Sequence, residues 1–339
     1  MKSLTFFEKI LFFINSVLAV LFLISLLLPY VKPSIFPLLS ILSLFSPLII
    51  IINILFIFFW ITKLKKEFLL SFIVLAIGYG TVVKFVNFSN NTQYISENSL
   101  SVISYNVRLF NLYKWIDRVG VDEEIYSFLQ DENTDIICLQ EYKKNNLQLS
   151  SYNYSYEFLR GKNSNYGQAI FSKFPIINKG SIDLESNSNS AIFSDIIIRN
   201  DTIRIYNIHL QSFTFDKNIQ LSDINSKNNI IVGSVSNTFI DQQNQVEILQ
   251  KHIEKCPYKL ILSGDFNNTA FSYTYNKLKD NLNDSFIKKG NGLGITYNYN
   301  FIPMRIDYIL LSKDFRVNKF KTYKINLSDH EPIFSEIIF

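Results

Sequence analysis

The chain opens with three long apolar runs and then changes character. No charged side chain interrupts residues 10–31, 33–62 or 68–83. A helix needs about 20 apolar residues to cross a bilayer, so this pattern predicts an all-α transmembrane region over residues 1–90. The predicted helices cover 10–31, 35–61 and 68–86, the third completing a span only by running past Lys84. A cleaved signal peptide would give one shorter run ending in a small-residue cleavage site, and no such site is seen.

Beyond a polar, Asn-rich linker at 91–99 the pattern switches to short β-branched runs bounded by Gly, Pro, Asn, Asp or Ser. Eight are of strand length: 100–107, 135–141, 167–173, 191–198, 202–210, 258–266, 305–312 and 332–339. Helical spacing of apolar residues appears over 122–131 and 239–255. Residues 213–235 follow neither period and are expected to form an insertion loop. Residues 100–339 therefore read as one α/β domain.

Charge refines this picture. Of 33 basic and 29 acidic side chains, seven Lys and three Glu fall within residues 1–97, which leaves residues 98–339 formally neutral. That balance argues against a strongly electrostatic, non-specific nucleic-acid binder. Lys2, Lys9, Lys63, Lys65 and Lys66 flank the first two runs on what the positive-inside rule makes the cytoplasmic face. With three crossings the domain is extracytoplasmic, in the periplasm of a bacterial inner membrane; with two it is cytoplasmic. Cys138 and Cys256 form neither a disulfide framework nor a zinc spacing.

Candidate chemistry gathers where apolar runs end. SYN ends on Asn106, CLQE on Glu141 and LSGDFN on Asp265 and Asn267; YNIHL carries Asn207 and His209, RIDYIL carries Asp307, and LSDHEP presents Asp329 and His330. Each alone is as easily a turn, a cap or a solvated strand end. Strand ends in a layered sheet fold nevertheless share a rim, where sites are built. Two of the three histidines lie in these clusters, while His252 is expected simply to be exposed on a helix. Carboxylate and amide oxygens suit a hard cation such as Mg²⁺, or Mn²⁺, that binds substrate phosphate. A carboxylate-held histidine suits proton transfer. Together they point to phosphate-ester hydrolysis, and no GxSxG nucleophile motif competes.

The segments SYNVR, DIICLQE, YGQAIFSKFPI, YNIHL, SGDFN, GITY followed by RIDYIL, and SDHEP resemble, in order, the motifs of the endonuclease/exonuclease/phosphatase (DNase I-like) superfamily. The membrane-anchored arrangement is similar to bacterial members. The resemblance implies a four-layer α/β sandwich, with two mixed sheets face to face, helices outside and the site on one rim. It implies Glu141 as principal metal ligand, Asn106 beside metal and phosphate, and Asp329 supporting a metal position. Asp265 would align or deprotonate the attacking water, or protonate the leaving group. Asn267 and His209 would contact the scissile phosphate, and His330, oriented by Asp307, would be a base or a phosphate-stabilising cation. Asn207 and Arg108 are expected to face substrate. Two departures stand out: Arg108 replaces an acid carried by abasic-site endonucleases, and no acid near Gln168 pairs with His209.

The leading expectation is a membrane-anchored, Mg²⁺-dependent phosphohydrolase acting on a lipid headgroup, a small molecule or nucleic acid. A nuclease is the alternative, and a catalytically silent membrane-tethered binding protein a third reading. No feature points to a protein partner.

Overall fold

The computed structural model describes residues 4–89, 94, 98–145, 149–160, 165–185, 189–213, 224–299 and 302–339. The chain divides into two compact units. One comprises Met1–Val86 with Thr214–Gln243 and Thr269–Asn276; the other comprises Asn87–Phe213, Asn244–Asn268 and Lys277–Phe339.

In the first unit α1 (Phe6–Ser25) starts at a capping box, in which Thr5 and Glu8 satisfy each other's exposed backbone N–H groups. With its 3₁₀ extension to Tyr30 it spans 25 residues, and α2 (Pro37–Thr62) spans 26; both are long and apolar enough to cross a membrane. The helix expected over 68–86 is two, α3 (Phe68–Ile77) and α4 (Tyr79–Phe85), bent by 84°. The break is at Gly78, where a Cβ would lie 2.5 Å from the buried Phe22 ring. A polar chain ties the three long helices together. Trp60 Nε1 donates to Asn15 Oδ1 (3.0 Å), Asn15 Nδ2 to Ser71 Oγ (2.6 Å), and Ser71 Oγ to Asn53 Oδ1 (2.9 Å). Buried polar groups need partners of this kind, so their pairing favours this packing.

The second unit contains two six-stranded sheets. The strands of these two sheets are β1 (Ser99–Asn106), β2 (Ile136–Lys143), β3 (Tyr154–Leu159), β4 (Tyr166–Ser172), β5 (Ile176–Ile182) and β6 (Ser190–Ile198). These are followed by β7 (Asp201–His209), β8 (Lys259–Asp265), β9 (Asn283–Asp284), β10 (Asp307–Leu311), β11 (Arg316–Thr322) and β12 (Ile333–Ile338). One sheet has the order β9-β10-β8-β7-β6-β5 and the other β11-β12-β1-β2-β4-β3. Pairs β1–β2 and β7–β8 are parallel and the rest antiparallel, so both sheets are mixed.

Side-chain alternation explains the layering. Along β1, Leu100 and Val102 enter the core between the sheets with Ile136, Cys138, Ile205 and Ile261. Ile103 and Tyr105 point the other way, onto Ile125 and Leu129 of α5 (Val121–Glu132). On the far side, α6 (Ile224–Ile253) carries His252, which bonds the Tyr206 hydroxyl (3.0 Å) and packs on Phe193. His252 is thus half-buried rather than exposed. Two sheets flanked by helices form the expected sandwich. Within 213–235, residues from Ile224 onward are helical rather than loop, and 214–223 lie outside the described residues.

Candidate active site

Register brings three of the expected residues side by side. His209 of β7 pairs with Asp265 of β8, and Asp265 with Asp307 of β10. From the facing sheet Asn106 ends β1, and Glu141 lies one residue past its β2 neighbour Gln140. The loop before β12 adds Asp329 and His330.

Asp265 is the hub and is 1% exposed. Its carboxylate accepts from Asn106 Nδ2 (3.0 Å) and the Asn267 backbone N–H (2.8 Å), and lies 3.6 Å from His330 Nε2. Asn106 Nδ2 also reaches Glu141 Oε1 (3.3 Å). His209 Nε2 lies 3.8 Å from Glu141 and 3.9 Å from Asp265. His330 Nδ1 is held by Asp307, at 3.0 and 3.2 Å from its two oxygens.

Burial and neighbouring charge set the protonation pattern. Burial raises the Asp265 carboxyl; His330 opposes this, Asp307 adds to it, and the group is pushed up to about 7. Burial alone would lower His330, but Asp307 and Asp265 outweigh it and push the imidazole up to about 10. His209 is held below its ordinary value, chiefly by burial. At neutral pH the site therefore holds one cationic and one neutral histidine.

Backbone conformation places several of these groups. Glu141 (φ 46°) sits in a β-bulge where the β2–β4 register slips between Leu139 and Tyr142. The bulge turns its carboxylate out of the ladder toward the rim. Asn267 (φ 50°) is left-handed as well, and Arg108 begins a run of four left-handed residues ending at Asn111. Non-glycine residues pay for this conformation, so a run of four needs an anchor. Phe110 supplies it, stacked on Tyr126 with its edge to Tyr142. Arg108 then sits over the Trp115 ring (4.2 Å) and pairs with Asp329 (3.0 Å).

Nine of the ten expected residues converge here. Asn207 does not reach the rim: it is fully buried and spends its amide on Leu139 O, Ala169 O and Gln140. Without the expected acid, Gln168 accepts from Ser190, the ladder partner of His209. Sequence reasoning missed Ser328, which donates to Asn106 O (2.9 Å) and accepts from His330 N, and Tyr297, whose ring lies 4.7 Å from that of His330. Both lie within the GITY and SDHEP segments, so motif context was the available signal.

For a cation, Asp265, Asp307 and His330 each bring a ligand atom within 4.8 Å of the others. A protonated His330 held by Asp307 has no lone pair to offer. Glu141, Asp329 and the Asn106 amide are oxygen donors of the kind a hard divalent ion takes; Asn106 reaches Glu141, while Asp329 is paired with Arg108.

Residues 103–330 match the model of the Endonuclease/Exonuclease/phosphatase family, and residues 8–85 match a domain of unknown function, DUF8431. No curated protein matches the chain at the same stringency. Among solved structures, an endonuclease/exonuclease/phosphatase family protein from Bacteroides thetaiotaomicron is 22% identical, with TM-score 0.55 over 72% of this chain and 99% of that one. A mannosyl-6-phosphatase from B. thetaiotaomicron is 21% identical, with TM-score 0.54 over 71% and 100%. TDP2 from D. rerio, complexed with single-strand DNA product, is 15% identical, with TM-score 0.53 over 72% and 100%. Likeness at these identities is likeness of fold.

Proposed function

Because the chain belongs to the endonuclease/exonuclease/phosphatase family, we propose that it is a membrane-anchored, Mg²⁺-dependent phosphohydrolase that cleaves a phosphate ester by attack of water. The observation carrying this reading is the convergence on Asp265 of Asn106, His330 and the Asn267 N–H. Once ionised, this carboxylate takes a proton from water and is held in one orientation while doing so. His330, kept protonated by Asp307, presents a cation to the phosphoryl oxygens as negative charge grows on them. Neutral His209 and Asn267 line the same space as hydrogen-bonding groups. A divalent ion bound at Glu141, with Asp329 and Asn106, would supply further stabilisation of that charge.

A formally neutral 98–339 segment on a chain that also carries long apolar helices favours a lipid headgroup or small-molecule ester. Nuclease action is the second reading, supported by the likeness to TDP2 bound to DNA product. A screen of the full chain in detergent with Mg²⁺, against p-nitrophenyl phosphate, bis-p-nitrophenyl phosphate, sugar phosphates, phospholipids and DNA, separates the two. Wild-type turnover lost in both Asp265→Asn and His330→Ala supports hydrolysis; turnover kept in both overturns the assignment.

We also propose that the catalytic unit is extracytoplasmic. Lys65 lies 4.0 Å from Glu8, so the lysine-bearing N-terminus and the α2–α3 connection share one end of the helical unit. With the bent α3–α4 pair counted as a third crossing, the chain leaves the membrane on the side opposite the lysine-rich end. The positive-inside rule puts the lysine end in the cytoplasm. A C-terminal alkaline phosphatase fusion active in intact cells supports this orientation, and an inactive one reverses it.

A further inference from the structure

We propose that Arg160 is an anion clamp on the His209 side of the site, and that it selects esters carrying a second negative charge, phosphomonoesters over diesters. The inference rests on the phosphohydrolase reading and names the substrate class within it.

Position comes from the ladders. Phe158 of β3 pairs with Gln168 of β4, Gln168 bonds Ser190 of β6, and Ser190 pairs with His209 of β7. Arg160 lies two residues past Phe158 in the same direction, its N–H donating to Tyr166 O (3.0 Å) at the mouth of the hairpin. It therefore stands at the rim end of β3, close enough to His209 for its charge to act on the imidazole.

Pairing is the second observation. Four other arginines of this unit are ion-paired: Arg204 with Asp195 (2.6 Å), Arg305 with Asp284 (2.8 Å), Arg108 with Asp329 (3.0 Å) and Arg118 with Glu124 (2.8 Å). The half-buried Arg160 makes no ion pair within 4.0 Å among the described residues; Asp183 acts on it only from farther away. A guanidinium partly withdrawn from water at the edge of a phosphate site lacks the planar two-oxygen partner its geometry suits. A phosphomonoester has three non-bridging oxygens, so two can meet the guanidinium while the third faces His209 and Asn267; a diester has only two in all.

The test uses the full chain in detergent, with Arg160→Ala and Arg160→Lys. Steady-state kinetics with Mg²⁺ compare p-nitrophenyl phosphate with methyl p-nitrophenyl phosphate, and calorimetry measures inorganic phosphate binding. Arg160→Ala should lower kcat/KM on the monoester by roughly 10- to 100-fold, mainly through KM, and weaken phosphate binding similarly. The loss on the diester should be at least several-fold smaller, with Arg160→Lys intermediate. Equal losses on the two esters, or unchanged phosphate binding, overturn the proposal. If wild type hydrolyses no ester of the wider screen while Arg160→Ala still loses phosphate binding, the hydrolase reading falls and the clamp stands.

Discussion

Asn207 of β7 crosses from its own sheet to the other and donates to Leu139 O (2.8 Å) and Ala169 O (3.0 Å). Those carbonyls belong to the last regular pair before the bulge that turns out Glu141. Asn207 is thus a positioning residue for Glu141. Asn207→Ala leaves two buried carbonyls and the Gln140 amide without this partner. The expected cost is about 2 kcal/mol or more in denaturant unfolding, together with weaker Mg²⁺ binding. Full stability with unchanged Mg²⁺ affinity would show that the bulge holds itself.

Glu141 is itself a test of where the cation sits. Glu141→Gln keeps size and shape but removes the charge, and the side chain is about one-third exposed, so folding should be unaffected. Mg²⁺ affinity should fall by at least 10- to 100-fold, the range seen when only a supporting group is lost. If calorimetry instead finds affinity lost in Asp307→Asn and retained in Glu141→Gln, the cation belongs with the buried Asp265, Asp307 and His330 cluster.

The core strands were legible because burial on both faces makes them near-continuous apolar runs. Four strands were not: β9, an edge only two residues long, and the longer edge strands β3, β5 and β11. The sequences of the longer three, YSYEFL, IINKGSI and RVNKFKT, mix aromatic, lysine and polar residues, the composition that keeps an edge from pairing with another chain. At the site, residue types were readable but depth was not. Asn207 and His209 lie two apart on one strand and share a face, yet one step along it separates the sealed core from the rim. Nor does sequence show that Glu141 adopts a left-handed conformation, since glutamate carries no turn signal. Arg160 lies outside every strand-end cluster and becomes visible only through the ladders.

His330 should behave as a cation across the neutral range. In the metal-free protein its ring signals in NMR, assigned with His330→Ala, should titrate near pH 10. Asp307→Asn removes the nearest charge and should move that midpoint downward. The linkage has a definite sign. A folded value raised above the unfolded one, near 6.5, gives stability that is complete below about pH 6.5 and is lost as pH rises through 10. Asp307→Asn should therefore be less stable than wild type at pH 6, with the difference shrinking by pH 10. A midpoint unmoved in Asp307→Asn would show that Asp265 alone holds the proton.

Gly264 fixes the direction in which Asp265 and Asn267 leave β8. Its φ is +136°, and a Cβ there would lie 2.0 Å from Ile208 O and 2.7 Å from Ile208 N, in the neighbouring strand that carries His209. The contact is with backbone, so no rotamer change relieves it. The conformation alone disfavours any L side chain. Gly264→Ala must push β7 and β8 apart between His209 and Asp265, and should cost about 3 kcal/mol or more in thermal or denaturant unfolding. Gly290→Ala separates this effect from ordinary crowding: φ there is −71°, and although backbone is also near, the closest atom is the Phe286 ring at 2.2 Å. Backbone strain at the site requires the Gly264 variant to be the less stable of the two and the one whose activity falls. Comparable stability and full turnover in both would mean that the β8 exit adjusts freely, and that the glycine before Asp265 is not what aims the carboxylate.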